Sequence, residues 1–200
     1  MNITECVLRP EVMTDSDDKI IKAMRECTQN SPHHYGTVLE HTLDAMKYVK
    51  ENFNEDIILM IETLFHDCGK PYVKVVNKKT GFDCFYCHES RSAFIAEEIL
   101  RKRGFPQKII KRVYNVIKHH DLSMNMTLDK ERENKFCLFV SKENIQKRID
   151  EWKISEEKFD DIIKLCRADI MAQTENTRKE KERVLDEIIK NSVGLKFYQN

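Results

Sequence analysis

Apolar residues recur at helical spacing along most of the chain. Over about 37–51, Leu39, Thr42, Leu43, Met46 and Val49 form one stripe. His41 falls on its shoulder, beside Val38 and Ala45. The next segment, about 55–67, holds an uninterrupted apolar run from Ile57 to Phe65, the signature of a buried helix. Gly69 and Pro71 read as its stop signals. Over about 107–119, Ile109, Ile110, Val113, Val116 and Ile117 mark a face, with His120 on the middle of it and His119 at its edge. Phe159, Ile162, Ile163, Leu165 and Cys166 carry a further helix on towards Asp169. In the charged tail, about 176–195, Val184, Leu185, Ile188 and Ile189 are spaced as an amphipathic helix.

Polar residues punctuate these runs. Asp15-Ser16-Asp17-Asp18 is an N-cap cluster for a first helix over roughly 17–28. Residues 31–36 break the chain before the second. His88-Glu89-Ser90 opens a helix to about Arg103, ended by Gly104-Phe105-Pro106. Ser141 caps a helix to about Trp152, and Ser155 starts the next. The one clear β pattern is Tyr72–Asn77 and Phe82–Tyr86 around Lys78-Lys79-Thr80-Gly81, a small hairpin. Residues 1–15 read as an irregular strap, and Asp121 to Thr127 as a polar loop before a short apolar segment, Phe136 to Val140. With no repeat, low-complexity tract or composition break, residues 1–200 are expected to form a single all-α helical bundle with one small β-hairpin.

Composition narrows the class. Apolar residues make up 40% of the 200 and charged residues 34%, which suits a soluble globular protein. Lys plus Arg and Asp plus Glu both number 34, so no net charge drives the chain towards nucleic acid or membrane. No apolar run approaches a membrane span, and the first residues lack the basic and apolar regions of an export signal. The seven scattered cysteines are then expected to be free thiols in a reducing, cytoplasmic setting.

The candidate chemistry lies at helix ends and shoulders. Leu64-Phe65-His66-Asp67-Cys68-Gly69-Lys70-Pro71 presents a His and an Asp from the core, where burial is costly unless they are hydrogen-bonded, paired or bound to metal. Imidazole nitrogen and carboxylate oxygen together suit Zn, Fe, Mn, Ni or Co. A capping Asp beside a satisfied core His remains the plain alternative for that pair alone. His41, His88, His119, His120 and Asp169 add further candidates, and several helices each aiming one or two side chains at a point is how a bundle builds a metal centre. Asp169 pairing with Arg167 or Lys164 is the competing account of that residue. Cys84-Phe85-Tyr86-Cys87-His88 spells a haem-attachment pattern, which expects export. Cys84 and Cys87 lack a second ligand pair for structural zinc, and Cys68 lacks a dedicated base.

The ordered series His41 … His66-Asp67 … Asp169 resembles the signature of HD-domain metal-dependent phosphohydrolases. The likeness is closest to the HD domain of bacterial CCA-adding tRNA nucleotidyltransferases. It is carried by Pro32-His33-His34, Glu40-His41-Thr42, the string around His66-Asp67, His88–Ala93, Ile117–His120 and Arg167-Ala168-Asp169, and spans about residues 31–172. Two departures are visible. The nucleotidyltransferase head is not among these residues, so CCA addition is not expected of the chain by itself. Cys87 stands where the family usually has Gly.

The resemblance implies that His41, His66, Asp67 and Asp169 ligate a primary metal. It implies that His88, His119 and His120 serve a second, with Asp67 bridging. One or two divalent transition-metal ions are thus expected, and two ~4 Å apart would activate water and clamp a phosphoryl oxygen. Asp67 and Lys70 are the expected catalytic groups, with Lys70 neutralising phosphate or else lying solvated at a helix end. His33, His34, Lys70 and Arg91 are the substrate-binding candidates, Arg91 with a surface ion pair as its alternative. The expected activity is hydrolysis of a phosphomonoester or phosphodiester of a small nucleotide-type substrate. RNA or a second copy of the chain are further candidate partners. The rival is a non-catalytic HD-fold module binding a nucleotide or tRNA, helped by a stripe of Lys108, Lys111, Arg112 and Lys118. A third reading is a helical regulatory domain that dimerises through the tail.

Overall fold

The computed structural model describes residues 1–14, 18–53, 56–132 and 137–199. Asp15, Ser16, Asp17 and Phe136, which figure in the expectations above, lie outside them. Nine α-helices and four two-residue strands are present among the described residues: α1 Ile3–Leu8, α2 Lys19–Glu26, α3 Val38–Asn52, α4 Ile57–Phe65, β1 Val75–Val76, β2 Asp83–Cys84, α5 His88–Lys102, α6 Gln107–Lys118, β3 Met126–Thr127, β4 Leu138–Phe139, α7 Lys142–Trp152, α8 Glu156–Met171 and α9 Glu175–Asn191. The all-α bundle is as the apolar spacing requires.

Helix α4 is the pillar. Every residue from Leu59 to Phe65 is buried, as an all-round apolar helix demands. Helices α3, α5, α6 and α8 pack around it, and α9 covers α8. The buried face of α6 is Ile110, Val113, Val116 and Ile117, and that of α9 is Val184, Leu185 and Ile188. On α3 the stripe is completed by Val38, Ala45 and His41, all buried. Caps fix the helix starts. Thr37 and Glu40 form a reciprocal capping box on α3, and Asp56 accepts from the Ile58 and Leu59 N–H groups on α4.

Three features differ from the pattern-based expectation. The N-terminal strap is partly helical, because Asn2 caps α1 and Ile3, Cys6 and Val7 reach the core. Beside the hairpin, whose strands pair antiparallel Val75 with Cys84, a second small sheet pairs β3 and β4 in parallel. Gly69 is not a left-handed helix stop: its φ is −81°. It is needed for close approach instead. A Cβ there would lie 2.5 Å from the Ser92 nitrogen and 2.7 Å from the His88 carbonyl. Its N–H donates to Ser92 Oγ at 2.8 Å, seating the chain after Asp67 against the start of α5.

Helices α4, α6 and α8 are also tied by a buried charge cluster. Arg112 on α6 reaches Asp161 on α8 with two hydrogen-bond-length contacts, Nε–Oδ2 2.8 Å and Nη2–Oδ1 3.0 Å. Glu157 lies 2.6 Å from Nη1, and the fully buried Glu62 on α4 lies 3.9 Å from Nε. Arg112 therefore points inward and is no member of a basic surface stripe. Burial, and the neighbouring Asp161, push the Glu62 carboxyl well above its usual value despite Arg112. Burial likewise raises Asp161.

Carboxyls raised in the fold bind protons that the unfolded chain has lost, so their ionisation costs stability as pH climbs above about 4–5. Arg112→Ala removes the compensating charge. The expected loss is about 3 kcal/mol at pH 8 and less at pH 5, because the upward shift of both carboxyls favours their neutral forms as pH falls. Urea unfolding at both pH values measures it; an equal loss at the two would contradict this account.

Candidate metal centre

His66 and Asp67 follow α4 directly, at the point where the helix leaves its last carbonyls unpaired. The His66 Nδ1–H uses one of them, donating to the Thr63 carbonyl at 2.7 Å. His120, just past α6, donates in the same way to Ile117 at 2.6 Å, and His88, opening α5, to Phe85 at 3.0 Å. His41 donates to Ala172, at the end of α8, at 3.2 Å. A carbonyl can only accept, so Nδ1 carries a proton in all four rings, and the Nε2 of each ring is turned inward.

Those four Nε2 atoms surround Asp67. Its Oδ2 lies 3.5 Å from His41 and 3.4 Å from His66. Its Oδ1 lies 3.2 Å from His88 and 3.9 Å from His120. Asp169 Oδ1 is 2.9 Å from His41 Nε2, and the two Nε2 atoms of His41 and His66 are only 3.3 Å apart. Both Asp67 oxygens are buried without a well-aligned hydrogen bond, the Lys70 ammonium lying 2.6 Å from Oδ2. Lone pairs turned towards one another and towards carboxylates repel unless protons or a cation lie between them. The donor set fits a metal on this ground. His41, His66, Asp67 and Asp169 form one group with ligand atoms within 4.8 Å of one another, and Asp67, His88 and His120 form a second. Asp67 is common to both, one oxygen facing each.

The electrostatics follow. Burial opposes charge on Asp67, but Lys70, His66 and His88 outweigh it and hold the carboxyl well below the usual range. Asp169 is lowered against its burial by His41 and His66. Burial works against the charged form of His88, yet Asp121 and Asp67 push it up to about 9. His120 is lowered by burial and by its neighbours His66 and His88.

The other expected site residues divide. Lys70 is buried with Nζ 2.6 Å from Asp67 Oδ2 and donates to Gln29 Oε1 at 3.0 Å, so it is a fixed cation rather than a solvated one. His34 stands edge-on to His41 at 4.8 Å and lines the cavity. Burial and the charges of Lys70 and His41 push it down to about 2. His33 is exposed at the rim, within 3.1 Å of Thr177 Oγ1. His119 is not brought to the centre: its ring stacks on Trp152 at 4.2 Å, and burial lowers it to about 4. Arg91 is not there either. It is exposed on α5 with its guanidinium over Tyr72 and Phe94. Asp169 pairs with neither Arg167 nor Lys164, whose partners are Asp186 and Asp160.

Three groups at the centre escaped the sequence reading. Asp121 lies 3.8 Å from His88 Nε2 and 3.6 Å from His120 Nε2, and with His88 and Glu89 makes a third group of metal-ligand type. Its signal was its place directly after His119-His120. Gln173 donates to Asp169 Oδ2 at 2.9 Å and Gln29 positions Lys70, and an amide carries no comparable signal. Above the centre opens a cavity of about 540 Å³.

Inward imidazoles from helix limits and one helix face gather around a shared aspartate, a cluster that could hold a metal ion, and the chain belongs to the HD domain family, whose sequence profile matches residues 37–186. That superfamily comprises metal-dependent phosphohydrolases. Among characterised relatives, the A-adding tRNA nucleotidyltransferase of Deinococcus radiodurans is 31% identical over 94 residues. The match covers 46% of this chain but 21% of that enzyme. Among the described residues no helix is long and apolar enough to cross a membrane.

Cys87 precedes His88 in the left-handed region, φ 59° and ψ 26°, which explains why Gly suits this position. An L side chain costs about 1–2 kcal/mol there, offset in part by glycine's greater unfolded freedom. Cys87→Gly is expected to stabilise by about 0.5–1 kcal/mol in thermal unfolding without loss of metal affinity. Metal itself should stabilise more. At a hundredfold excess over Kd the gain is about 2.7 kcal/mol, roughly 5–10 °C in Tm, abolished by chelator and by Asp67→Ala. A Tm indifferent to Mn, Co, Ni, Fe and Zn would refute the fit.

Proposed function

We propose that the protein hydrolyses a phosphate ester of a nucleotide-type substrate with water activated at this centre. The observation that carries the reading is the convergence of four Nε2 atoms on the two oxygens of one buried aspartate. Divalent cations held there would bring a coordinated water near neutrality in pKa and neutralise charge on a phosphoryl oxygen during in-line attack. Mn, Fe, Co, Ni and Zn all accept such a donor set.

The chain's own groups do the rest. Asp67 presents one oxygen to each ligand set and fixes their separation. The Nδ1–H bonds to Thr63, Phe85, Ile117 and Ala172 hold the rings in one tautomer, as ligating histidines require. Lys70 faces the cavity with its ammonium already oriented, a suitable partner for a phosphate oxygen. His34, neutral across the working range, contributes a hydrogen-bonding edge rather than a proton. The tRNA nucleotidyltransferase among the relatives supports a substrate of nucleotide type.

Protein stripped of metal and reloaded singly with Mn, Co, Ni, Fe or Zn is expected to cleave generic phosphomonoesters or phosphodiesters with at least one of them. His66→Ala and Asp67→Ala should each lower kcat/KM by more than about a hundredfold, beyond the usual effect of losing a group behind a ligand. Hydrolysis that survives both substitutions unchanged would end this reading. Ligand binding that persists without metal or turnover would favour the non-catalytic module.

A further inference from the structure

Asp121 follows His120 in the turn beyond α6, where the chain has left helical geometry: His119 is at φ −119°, ψ 12° and Asp121 at φ −77°, ψ 24°. In a continuing α-helix two successive side chains diverge by about 100° around the axis. Here both reach one neighbourhood. Asp121 Oδ1 lies 3.6 Å from His120 Nε2 and its Oδ2 lies 3.8 Å from His88 Nε2, so the carboxylate turns one oxygen to each ring. It lines the cavity over the centre beside Asp67, His88 and His120. Among the described residues its carboxylate accepts no hydrogen bond and pairs with no Lys or Arg.

The nitrogen it faces decides what it can do. A carboxylate that orients a metal-bound imidazole takes the N–H on the far side of the ring from the ion. Main-chain carbonyls already hold that position, Phe85 for His88 and Ile117 for His120. Glu89 does stand behind its ring, with Oε2 3.5 Å from His88 Nδ1. Asp121 instead meets Nε2 of both rings, the atoms that face Asp67 Oδ1. That oxygen is buried without a well-aligned hydrogen bond, and with His88 and His120 it forms the second group of metal-ligand type. We infer that Asp121 is a further ligand of a divalent ion held by Asp67, His88 and His120. It takes the place expected of His119, whose ring stacks on Trp152. The two sets then match, each with two imidazoles and two carboxylates: His41, His66, Asp67 and Asp169 in one, Asp67, His88, His120 and Asp121 in the other. Nitrogen and oxygen donors in that ratio suit Mn, Fe, Co or Zn. Without Asp121 the second set has a single carboxylate, shared with the first ion, and a weaker hold. The inference rests on the metal centre and not on hydrolysis.

The test counts metal. Protein stripped by chelator is dialysed against Mn(II), and bound Mn is read by elemental analysis and by electron paramagnetic resonance, in which two Mn(II) ions sharing a carboxylate give an exchange-coupled signal. The unaltered protein is expected to hold about two ions per chain, close enough to couple. Asp121→Asn, which keeps the shape and drops the charge, and Asp121→Ala should each hold about one, uncoupled, with the second Kd weakened at least about a hundredfold and the first within about threefold. His88→Ala should lose the same ion, so adding Asp121→Asn to it removes nothing further. Circular dichroism of the metal-free variants checks folding, and if Asp121→Ala fails it, Asp121→Asn decides. Asp121→Asn with both ions bound at unchanged affinity overturns the inference, as does loss of the remaining ion when it is added to His88→Ala. A lone ion in the unaltered protein upholds the inference if Asp121→Asn releases it and overturns it if the ion stays. Two bound ions without any cleavage strike the hydrolase reading and leave Asp121 a ligand, whereas cleavage that survives with Asp121→Asn holding both ions does the reverse.

Discussion

Each of four imidazoles gives its Nδ1–H to a main-chain carbonyl, and much of the architecture follows from that. Three of the rings use the carbonyl three residues earlier. Such a carbonyl is spared the helix's own bond to the N–H four residues on only near a helix limit, and His66, His88 and His120 stand at the limits of α4, α5 and α6. The fourth ring, His41, lies inside α3 and takes its carbonyl from the end of α8. Helix boundaries, usually the loosest feature of a fold, are here set by the chemistry they deliver. Gly69 belongs to the same constraint: only a residue without a side chain lets the chain after Asp67 lie against His88 and Ser92.

The same packing carries a second electrostatic load. The Glu62–Arg112–Asp161 cluster ties α4, α6 and α8, the helices that bring His66, Asp67, His120 and Asp169 together. Buried charge of this kind adds little net stability compared with apolar packing, but breaking it is costly. Its directional bond runs between α6 and α8, from Arg112 to Asp161, while Glu62 on α4 adds only a contact 3.9 Å from the guanidinium. Arg112 makes that bond from the edge of the core, part of its side chain still reaching solvent.

Much of this was legible in the sequence because the signals were local. The run Ile57–Phe65 ending in His66-Asp67 declared both the buried helix and what it presents. The shoulder position of His41 and the facing position of His120 came from helical phase. His119 shows the limit of that reasoning. One residue of phase separates it from His120, and only tertiary packing, the stack on Trp152, decides which ring turns inward. Arg91 and Arg112 exchanged their expected places for a similar reason: sequence gives a cation but not its direction. Asp121 was hidden in what read as a loop. The parallel pairing of β3 with β4 was not visible because two-residue strands carry no period.

The closure of the centre is long-range. His41 and Asp169 meet across 128 positions, and the segment before α3 is stitched to the segment after α8, where the Thr174 N–H donates to the His33 carbonyl. During synthesis the four inward histidines and Asp67 emerge first and wait for the carboxylate that completes their set. The nascent chain thus exposes an unfinished cluster of thirsty nitrogen donors until α8 arrives. Any ion captured before α8 docks would be held by fewer groups than one admitted afterwards, and would leave more readily before the bundle shuts.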